Sequence, residues 1–236
     1  MSDNASNISV IVPLLNEHEN LPKLYERLRL FSFGQLIFVD GGSEDGSWEW
    51  LEKTVKATEN QSSLIAIQTK PGRASQMNAG AKLAQHPYLA FVHADTYLCD
   101  AAENEIIVGL KHYSWGRFDI DFIESDFRMK VVAWFMNKRS RITSIATGDQ
   151  ALFVRREVFE RMAGFTEMAL MEDVDFCKRI LPISKPYCSR MKVKTSARRW
   201  LKQGVFSTIF MMWRFRFLYF FGVSPEKLAA QYRNVR

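Results

Sequence analysis

Over its first hundred residues the chain alternates between two hydrophobic periods, and that alternation limits its fold more than any other feature. ISVIVPLL (Ile8–Leu15) is a short apolar run of buried-strand type, followed by a helical stretch with Leu21, Leu24, Leu28 and Phe31 at 3–4 spacing. QLIFVD (Gln35–Asp40) reads as a second strand, and Ser43–Thr58 as a helix with Trp48, Leu51 and Val55 on one face. SLIAIQT (Ser63–Thr69), Ala74–Ala84 and YLAFVHAD (Tyr88–Asp95) follow as strand, helix and strand. Four strands joined by helices predict an α/β fold with a parallel sheet and right-handed crossovers.

Such a sheet places ligands beyond the carboxyl ends of its strands. The polar residues of this segment fall there: Asn16 and Glu17 after strand 1, Asp40 after strand 2, His93 and Asp95 at the end of strand 4. An acid in one βα loop is usually a helix cap, which suits Ser43, Glu44 and Asp45. Three polar clusters on one edge point instead to a ligand.

After Asp95 the pattern changes. Ala101–Leu110, Phe127–Ile142 and Met171–Ile180 read as helices, and Trp115–Ser125, Gly148–Arg155 and Tyr187–Ser196 as strands. A hydrophobic stretch, Val205–Val223, comes near the end. No repeat, low-complexity segment or linker interrupts the 236 residues. We therefore expect one domain: residues 1–99 as a nucleotide-binding half, 100–202 as a second half and 203–236 as amphipathic C-terminal helices.

At 47% hydrophobic and 25% charged residues, the chain can bury a sizeable core and is not disordered. Its charge is divided. Residues 1–184 carry 20 Lys/Arg and 25 Asp/Glu, whereas residues 185–236 carry 12 Lys/Arg and one acid, Glu226. A basic tail can meet nucleic acid, an acidic membrane or a phosphorylated ligand. It lacks a nucleic-acid motif and its aromatics lie in an apolar run, so no nucleic-acid partner is expected. Cys99, Cys177 and Cys188 are too widely spaced for a disulfide framework or a zinc knuckle and suggest a reducing compartment. No basic segment precedes the first apolar run, so no signal peptide is expected.

There is no G-x-G-x-x-G after strand 1 and no G-x-x-x-x-G-K-[ST], G-x-S-x-G or H-E-x-x-H anywhere. These absences count against dehydrogenases, phosphate-loop ATPases and Ser- or His-based hydrolases. Carboxylates remain. Asp95, at the mouth of a parallel sheet, can hold Mg²⁺ or Mn²⁺, a cation that fills its other positions with water and phosphate oxygens. Asp40 could hydrogen-bond a base or ribose. Asp173, in Glu172-Asp173, opens a helix, where an acid is also favoured by the helix dipole.

SVIVPLLNEHENL, IFVDGGSEDGS, KPGRASQMNAGAKLA, FVHAD, GDQALFVRREVFERMAGF and MEDVDFCKRI stand in the order of the motifs of family 2 glycosyltransferases, and the chain resembles that family over nearly its whole length. GRASQMNAGA, FVHADT, WGRFD and TSARRW are most similar to the radical-SAM/selenodomain-associated, or arsenosugar-biosynthesis, subgroup. The resemblance implies the GT-A fold of nucleotide-diphospho-sugar transferases: a mostly parallel central sheet flanked by helices, here with a C-terminal helical tail. It implies sugar transfer from a nucleotide sugar, with UDP-sugars favoured over GDP-sugars. The acceptor would be a small molecule or lipid-linked.

By resemblance, Pro13, Asn16, Glu17 and Asp40 would line the donor's base and ribose, and Arg73, Asn78 and His93 would also be donor-side. Asp95 would hold a Mg²⁺ or Mn²⁺ ion on the diphosphate. Glu172 and Asp173 would face the acceptor, with Asp173 as general base. Asp149, Gln150, Arg199 and Trp200 would be acceptor-side. Two positions depart from the family pattern. His93 replaces the first acid of D-x-D, either ligating the metal or touching only ribose. Ser196 replaces the Gln of Q-x-x-R-W, which argues against processive polymer synthesis.

The implied chemistry is a single displacement with inversion. The metal, helped by Arg73 and Arg199, neutralises the leaving diphosphate. A carboxylate takes the proton of the acceptor hydroxyl. Alternatives are a nucleotide-sugar-binding protein with little turnover and a nucleotidyltransferase on a related sheet. The latter would carry a Gly-rich basic loop where this chain has PLLNEHEN. Val205–Val223 approaches the ~20 residues of a bilayer span, but Arg214 and Arg216 near its centre oppose insertion. We expect a helix whose Phe206, Ile209, Phe210, Trp213, Phe217 and Phe220 share a face. That helix either packs on its own domain or makes a peripheral membrane contact or a homodimer through residues 203–223. A cytoplasmic protein, peripheral at the inner face of the membrane, fits this reading.

Overall fold

The structure is a computed structural model that describes residues 4–58, 63–124 and 126–233. Strands β1 (Ile8–Leu14) and β2 (Gln35–Asp40) are buried along their whole length, as continuous apolar runs are when helices cover both faces of a sheet. With β3 (Leu64–Gln68) and β4 (Tyr88–Phe91) they pair in parallel. The crossovers are α1 (Leu21–Leu28), α2 (Ser47–Ala57) and α3 (Arg73–Leu83). These elements follow the predicted alternation closely.

β5 (Thr96–Tyr97), α4 (Ala102–His112), β6 (Trp115–Phe122), α5 (Phe127–Thr143), β7 (Phe153–Arg155), α6 (Arg156–Arg161), α7 (Glu172–Ile180) and β8 (Tyr187–Thr195) come next. The tail comprises α8 (Arg198–Gln203), α9 (Val205–Phe220) and α10 (Pro225–Arg233). The eight strands of the described residues form one sheet in the order β3-β2-β1-β4-β7-β6-β8-β5. Pairing changes to antiparallel at β4–β7 and β7–β6 and returns to parallel at β6–β8.

Alternate residues of the strands feed two cores. Val10, Val12 and Phe38 meet Leu24, Ile106 and Met129 on one face. Ile11, Ile37 and Val39 meet Met77, Phe159 and Phe176 on the other. Gly80 lets α3 lie tightly on the sheet, because a Cβ there would stand 2.5 Å from Ile11 Cγ2. A smaller cluster joins Met171 and Val174 to Phe215 of α9 and Leu228 of α10. Asp126 caps α5 by accepting a 2.8 Å hydrogen bond from the Met129 amide.

Several expectations need correction. The fourth strand ends at Phe91, so His93 and Asp95 lie in the turn that follows, closed by Thr96 N donating to His93 O at 3.0 Å. The strand expected over Gly148–Arg155 is a 3₁₀ turn (Gly148–Gln150) and then β7, because Ala151 takes a left-handed conformation (φ 45°). Arg155, at the end of β7, donates to Leu110 O at 2.8 Å and Lys111 O at 3.0 Å. Of the face expected on the 205–223 helix, Ile209 packs against the core and the aromatic residues turn away from the domain. Phe206, Phe210, Trp213, Phe217 and Phe220 are exposed, while Thr208 and Phe215 are buried. Ser125, the last residue of an expected strand, lies outside the described residues.

A buried charge cluster locks α5 to β6 and β8. Arg117 pairs with Asp119, whose other oxygen accepts from Arg141 at 2.7 Å; Arg141 also donates to Cys188 O and Ser189 O. Removing the carboxylate would strand Arg117, which is 1% exposed. Asp119→Asn is expected to destabilise the fold by about 3 kcal/mol, the low end of the range for breaking a buried pair. Urea unfolding followed by circular dichroism measures this; an unchanged midpoint would contradict it.

Candidate active site

The carboxyl edge of the sheet is stitched together by its own loops. Asp40, fully buried, accepts from the amides of Gly42 and Ser43 at 3.0 Å each, from Gln68 Nε2 at 3.1 Å and from the Ser43 hydroxyl. Asn16 stands at a left-handed φ of 54°. Its amide donates to Ser43 Oγ at 2.8 Å, and its side-chain oxygen accepts from Glu44 N at 2.9 Å. Pro13 is buried in β1, beside Val39. Glu17 accepts from Asn20 and meets Arg198 of α8 at 3.4 Å. These four residues therefore form one wall at the ends of β1 and β2.

Gln76 of α3 fixes that wall, and sequence reasoning passed over it. Its side-chain nitrogen donates to Leu14 O at 2.7 Å and to Val39 O at 2.8 Å. Those are carbonyls where β1 and β2 end. The signal was available: a polar residue, on the buried side of a helix, inside a motif already singled out.

A second group gathers beyond β4. The His93 ring is packed on Gly148, where a Cβ would overlap the imidazole, and His93 Nδ1 lies 3.5 Å from Asp149 Oδ1. Asp173 Oδ2 accepts from Gly148 N at 3.0 Å, and its Oδ1 accepts from Val174 N at 2.7 Å. Glu172 is buried and ion-pairs with Arg73 at 3.5 Å. A cavity of about 70 Å³ opens among these residues. Arg73, Gly148, Asp149, Glu172 and Asp173 line it from the domain, and Met212, Phe215 and Arg216 of α9 close it. The contribution of α9 to this site was not anticipated.

Burial pushes the Glu172 carboxyl above its ordinary value, against the pull of Arg73 and with a further push from Asp173. Burial also lowers Arg139 to about 10, and Arg216, also lowered by burial, adds its repulsion. Cys177, fully buried, has its thiol pushed well up by desolvation. All three cysteines are free.

Other expected site residues lie differently. Both ends of the Asn78 amide are engaged by Phe165: the nitrogen donates to its carbonyl at 2.8 Å and the oxygen accepts from its amide at 2.9 Å. Gln150 is fully buried, donating to Phe118 O at 3.3 Å and accepting from Thr147 N at 3.2 Å. Trp200 packs edge-on to Phe122, 5.8 Å between centroids. The Arg199 side chain lies outside the described residues.

Among the described residues no three His, Cys, Asp or Glu side chains group as metal ligands. Asp95 is half-buried, and its carboxylate makes no hydrogen bond or ion pair with a described residue. One free carboxylate suits a hard cation that brings water and phosphate oxygens as its other ligands.

Residues 9–160 match the model of Glycosyl transferase family 2. The chain belongs to that family. It is 33% identical over 95 residues to an undecaprenyl-phosphate 4-deoxy-4-formamido-L-arabinose transferase of Proteus mirabilis, a match covering 38% of this chain and 29% of that protein. The chain thus matches under a third of the length of this curated relative, which is of a different kind from the radical-SAM-associated subgroup its motifs resemble. Among solved structures, the mannosyltransferase PcManGT from Pyrobaculum calidifontis, in complex with GDP-Man and Mn²⁺, superposes with a TM-score of 0.63 at 18% identity. That match covers 89% of this chain and 60% of that one. TarS 1-349 from S. aureus, in complex with UDP-GlcNAc, gives 0.58 at 16% identity over 80% of this chain and 56% of that one. Both likenesses show the GT-A fold alone.

The raised Glu172 carboxyl has a consequence for stability. Below the ordinary value of 4.5 the group is protonated in both states and has no effect through ionisation. Above it the unfolded chain ionises more readily, so stability is lost as pH rises. Glu172→Gln is therefore expected to gain melting temperature relative to wild type at pH 7–8 and to lose that gain toward pH 4. Thermal melts across that range test the sign; a gain that grows toward acid would refute it.

Proposed function

We propose that the chain is a metal-dependent, inverting glycosyltransferase that moves a sugar from a nucleotide-diphospho-sugar to a hydroxyl or phosphate oxygen of a small or lipid-linked acceptor. The observation that carries this reading is the convergence of Arg73, Asp149, Glu172 and Asp173 on one cavity, with His93 against Asp149 at 3.5 Å, beside the loop wall built on Asp40. Residues 1–99 then serve the donor, residues 100–202 the acceptor, and α9 of the C-terminal tail covers the cavity.

Pro13, Asn16, Glu17 and Asp40 shape the base and ribose end, Asp40 through the loop it holds. Arg73 faces the diphosphate and, by pairing with Glu172, ties donor and acceptor ends together. His93 lies between the ends of the two halves, oriented by Asp149. Asp95 holds the cation, Mg²⁺ or Mn²⁺, which when bound supplies positive charge to the departing diphosphate. Asp173 takes the acceptor's proton when that group is a hydroxyl. Its carboxylate is held by the Gly148 and Val174 amides, which fix its direction. Asn78, Gln150 and Trp200 act as supports for this arrangement, and Arg199 remains assigned to the acceptor side.

UDP- and GDP-sugars are the donor classes to test first, since the two structures similar in fold hold GDP-Man and UDP-GlcNAc. The curated relative acts on undecaprenyl phosphate, which makes a polyprenyl phosphate the first acceptor to try; the subgroup resemblance keeps small molecules in the panel. Among the described residues no helix is long and apolar enough to cross a membrane. The exposed aromatic row of α9, with Phe127, Trp134, Phe135 and Ile142 exposed on α5, suits a peripheral contact at the inner membrane face more than a homodimer, because Lys130 and Lys138 of α5 add the charge an anionic surface attracts.

Nucleotide release from a donor panel, with and without Mn²⁺ and acceptor, tests the activity. No release with any combination would count against it. With a hydroxyl acceptor, Asp173→Asn is expected to keep donor affinity and lose turnover by about 10²–10⁴-fold; an unchanged rate would remove Asp173 from the base role. Asp95→Asn is expected to abolish the Mn²⁺ dependence of donor binding measured by calorimetry, and an intact Mn²⁺ response would place the cation elsewhere.

A further inference from the structure

Arg216 has no assigned role, yet its placement is costly. It lies on the inner side of α9 and lines the cavity that holds Asp149 and Asp173. Its Nε is shielded from solvent without a hydrogen-bond partner, and Arg216 forms no ion pair with a described residue. On α5, Arg139 donates at 3.4 Å to Ile145 O, has its Nη2 buried without a partner and feels the repulsion of the Arg216 charge. Asp173 and Asp149 draw on the charge of Arg216 without reaching ion-pair distance. Two guanidiniums held close enough to repel, with buried donors unmatched, lose stability unless an anion completes them.

We propose that Arg216, backed by Arg139, forms an oxyanion subsite that takes a phosphate group of a substrate. A planar guanidinium fork matches two phosphate oxygens at once. Nucleotide-sugar transfer to a phosphorylated lipid offers two sources of that phosphate, the acceptor's own and the donor's diphosphate. The surroundings favour the acceptor. Arg216 shares its helix with exposed Trp213, Phe217 and Phe220, and Arg139 shares its helix with exposed Phe135 and Ile142. A phosphate head at Arg216 would leave an attached apolar chain free to follow these side chains outward. The inference deepens the transferase reading and rests on it for the identity of the ligand, though not for the anion site.

Binding read without turnover tests it. Calorimetry on the full chain would use farnesyl phosphate, farnesol and UDP as probes. Wild type is expected to bind farnesyl phosphate and not farnesol, and Arg216→Gln to weaken the phosphate roughly tenfold or more, the scale of one hydrogen bond between charged groups. Arg214→Gln, altered at an exposed site bonded to Gln231, should bind as wild type does. If Arg216→Gln weakens farnesyl phosphate alone, the acceptor is the source; if it weakens UDP alone, the donor is. Equal affinity of wild type and Arg216→Gln for both probes would overturn the subsite. Without ligand, Arg216→Gln should unfold at the same or higher urea concentration than wild type, because an unpaired buried charge is gone. Should it fail to fold, Arg216→Lys keeps the charge without the fork and must bind farnesyl phosphate or UDP more weakly than wild type; unchanged affinity for both would overturn the subsite. Phosphate binding with no sugar transfer would leave the subsite standing and sink the transferase reading.

Discussion

The Gly148 backbone is where the candidate site is held together. Its amide donates to Asp173, 25 residues further along the chain, and its bare Cα carries the His93 ring. Those two contacts bind the turn after β4, the turn before β7 and the first turn of α7 into one unit. The second does not survive a side chain at residue 148, because a Cβ would occupy the space of the imidazole. Glu172, next to Asp173, is then drawn inward to Arg73 of α3. A shift at this glycine would therefore move the carboxylates, the histidine and the arginine together.

The sheet explains why a turn from the second half of the chain can reach residues of the first. β7 pairs antiparallel to β4, with Phe153 opposite Ala90. An antiparallel strand begins where its parallel neighbour ends, so the Gly148–Gln150 turn arrives at the carboxyl edge beside His93. β6 and β8 run the other way from β7, so β8 finishes toward that same edge. The chain leaving it enters α8, whose Arg198 meets Glu17 in the loop after β1. The change of strand direction thus adds the turn before β7 to the loops after β1, β2, β4 and β8 on one edge. It also lets the basic tail close over the site.

The first hundred residues were legible because their strands are buried on both faces and their helices on one. β2 was read with its observed bounds, and Leu21, Leu24 and Leu28 are buried as their spacing implied. The carboxyl edge followed from the topology, which brought Asn16, Glu17, Asp40 and His93 to it. What could not be read was direction. Asn78 and Gln150 are polar residues of site motifs, yet each spends its amide on backbone groups nearby. A motif fixes which residues lie close to a site, while hydrogen-bond partners decide which of them face it. The 3₁₀ turn before β7 was hidden for a related reason: the apolar run ALFV in GDQALFVR reads as a strand with its flanks, and the left-handed Ala151 interrupts it.

Hydrophobicity alone could not place the α9 helix, because it fits packing on the domain, a membrane contact and a homodimer equally. Its bulky aromatics point outward, and its inner side is built from Thr208, Met211, Met212, Phe215 and Arg216. Lys178 of α7 lies over the Tyr219 ring, 4.9 Å from its centroid, and so fastens the helix to the element that carries Asp173. A helix selected only for core packing would reverse this distribution, with aromatics inside and arginine in water. The reversed pattern is consistent if α9, besides resting on the domain through Val205, Ile209 and Phe215, also meets an apolar phase outside and an anion inside. The same sixteen residues would then set where the protein sits and what its cavity accepts, and that coupling would make orientation at a membrane part of substrate recognition.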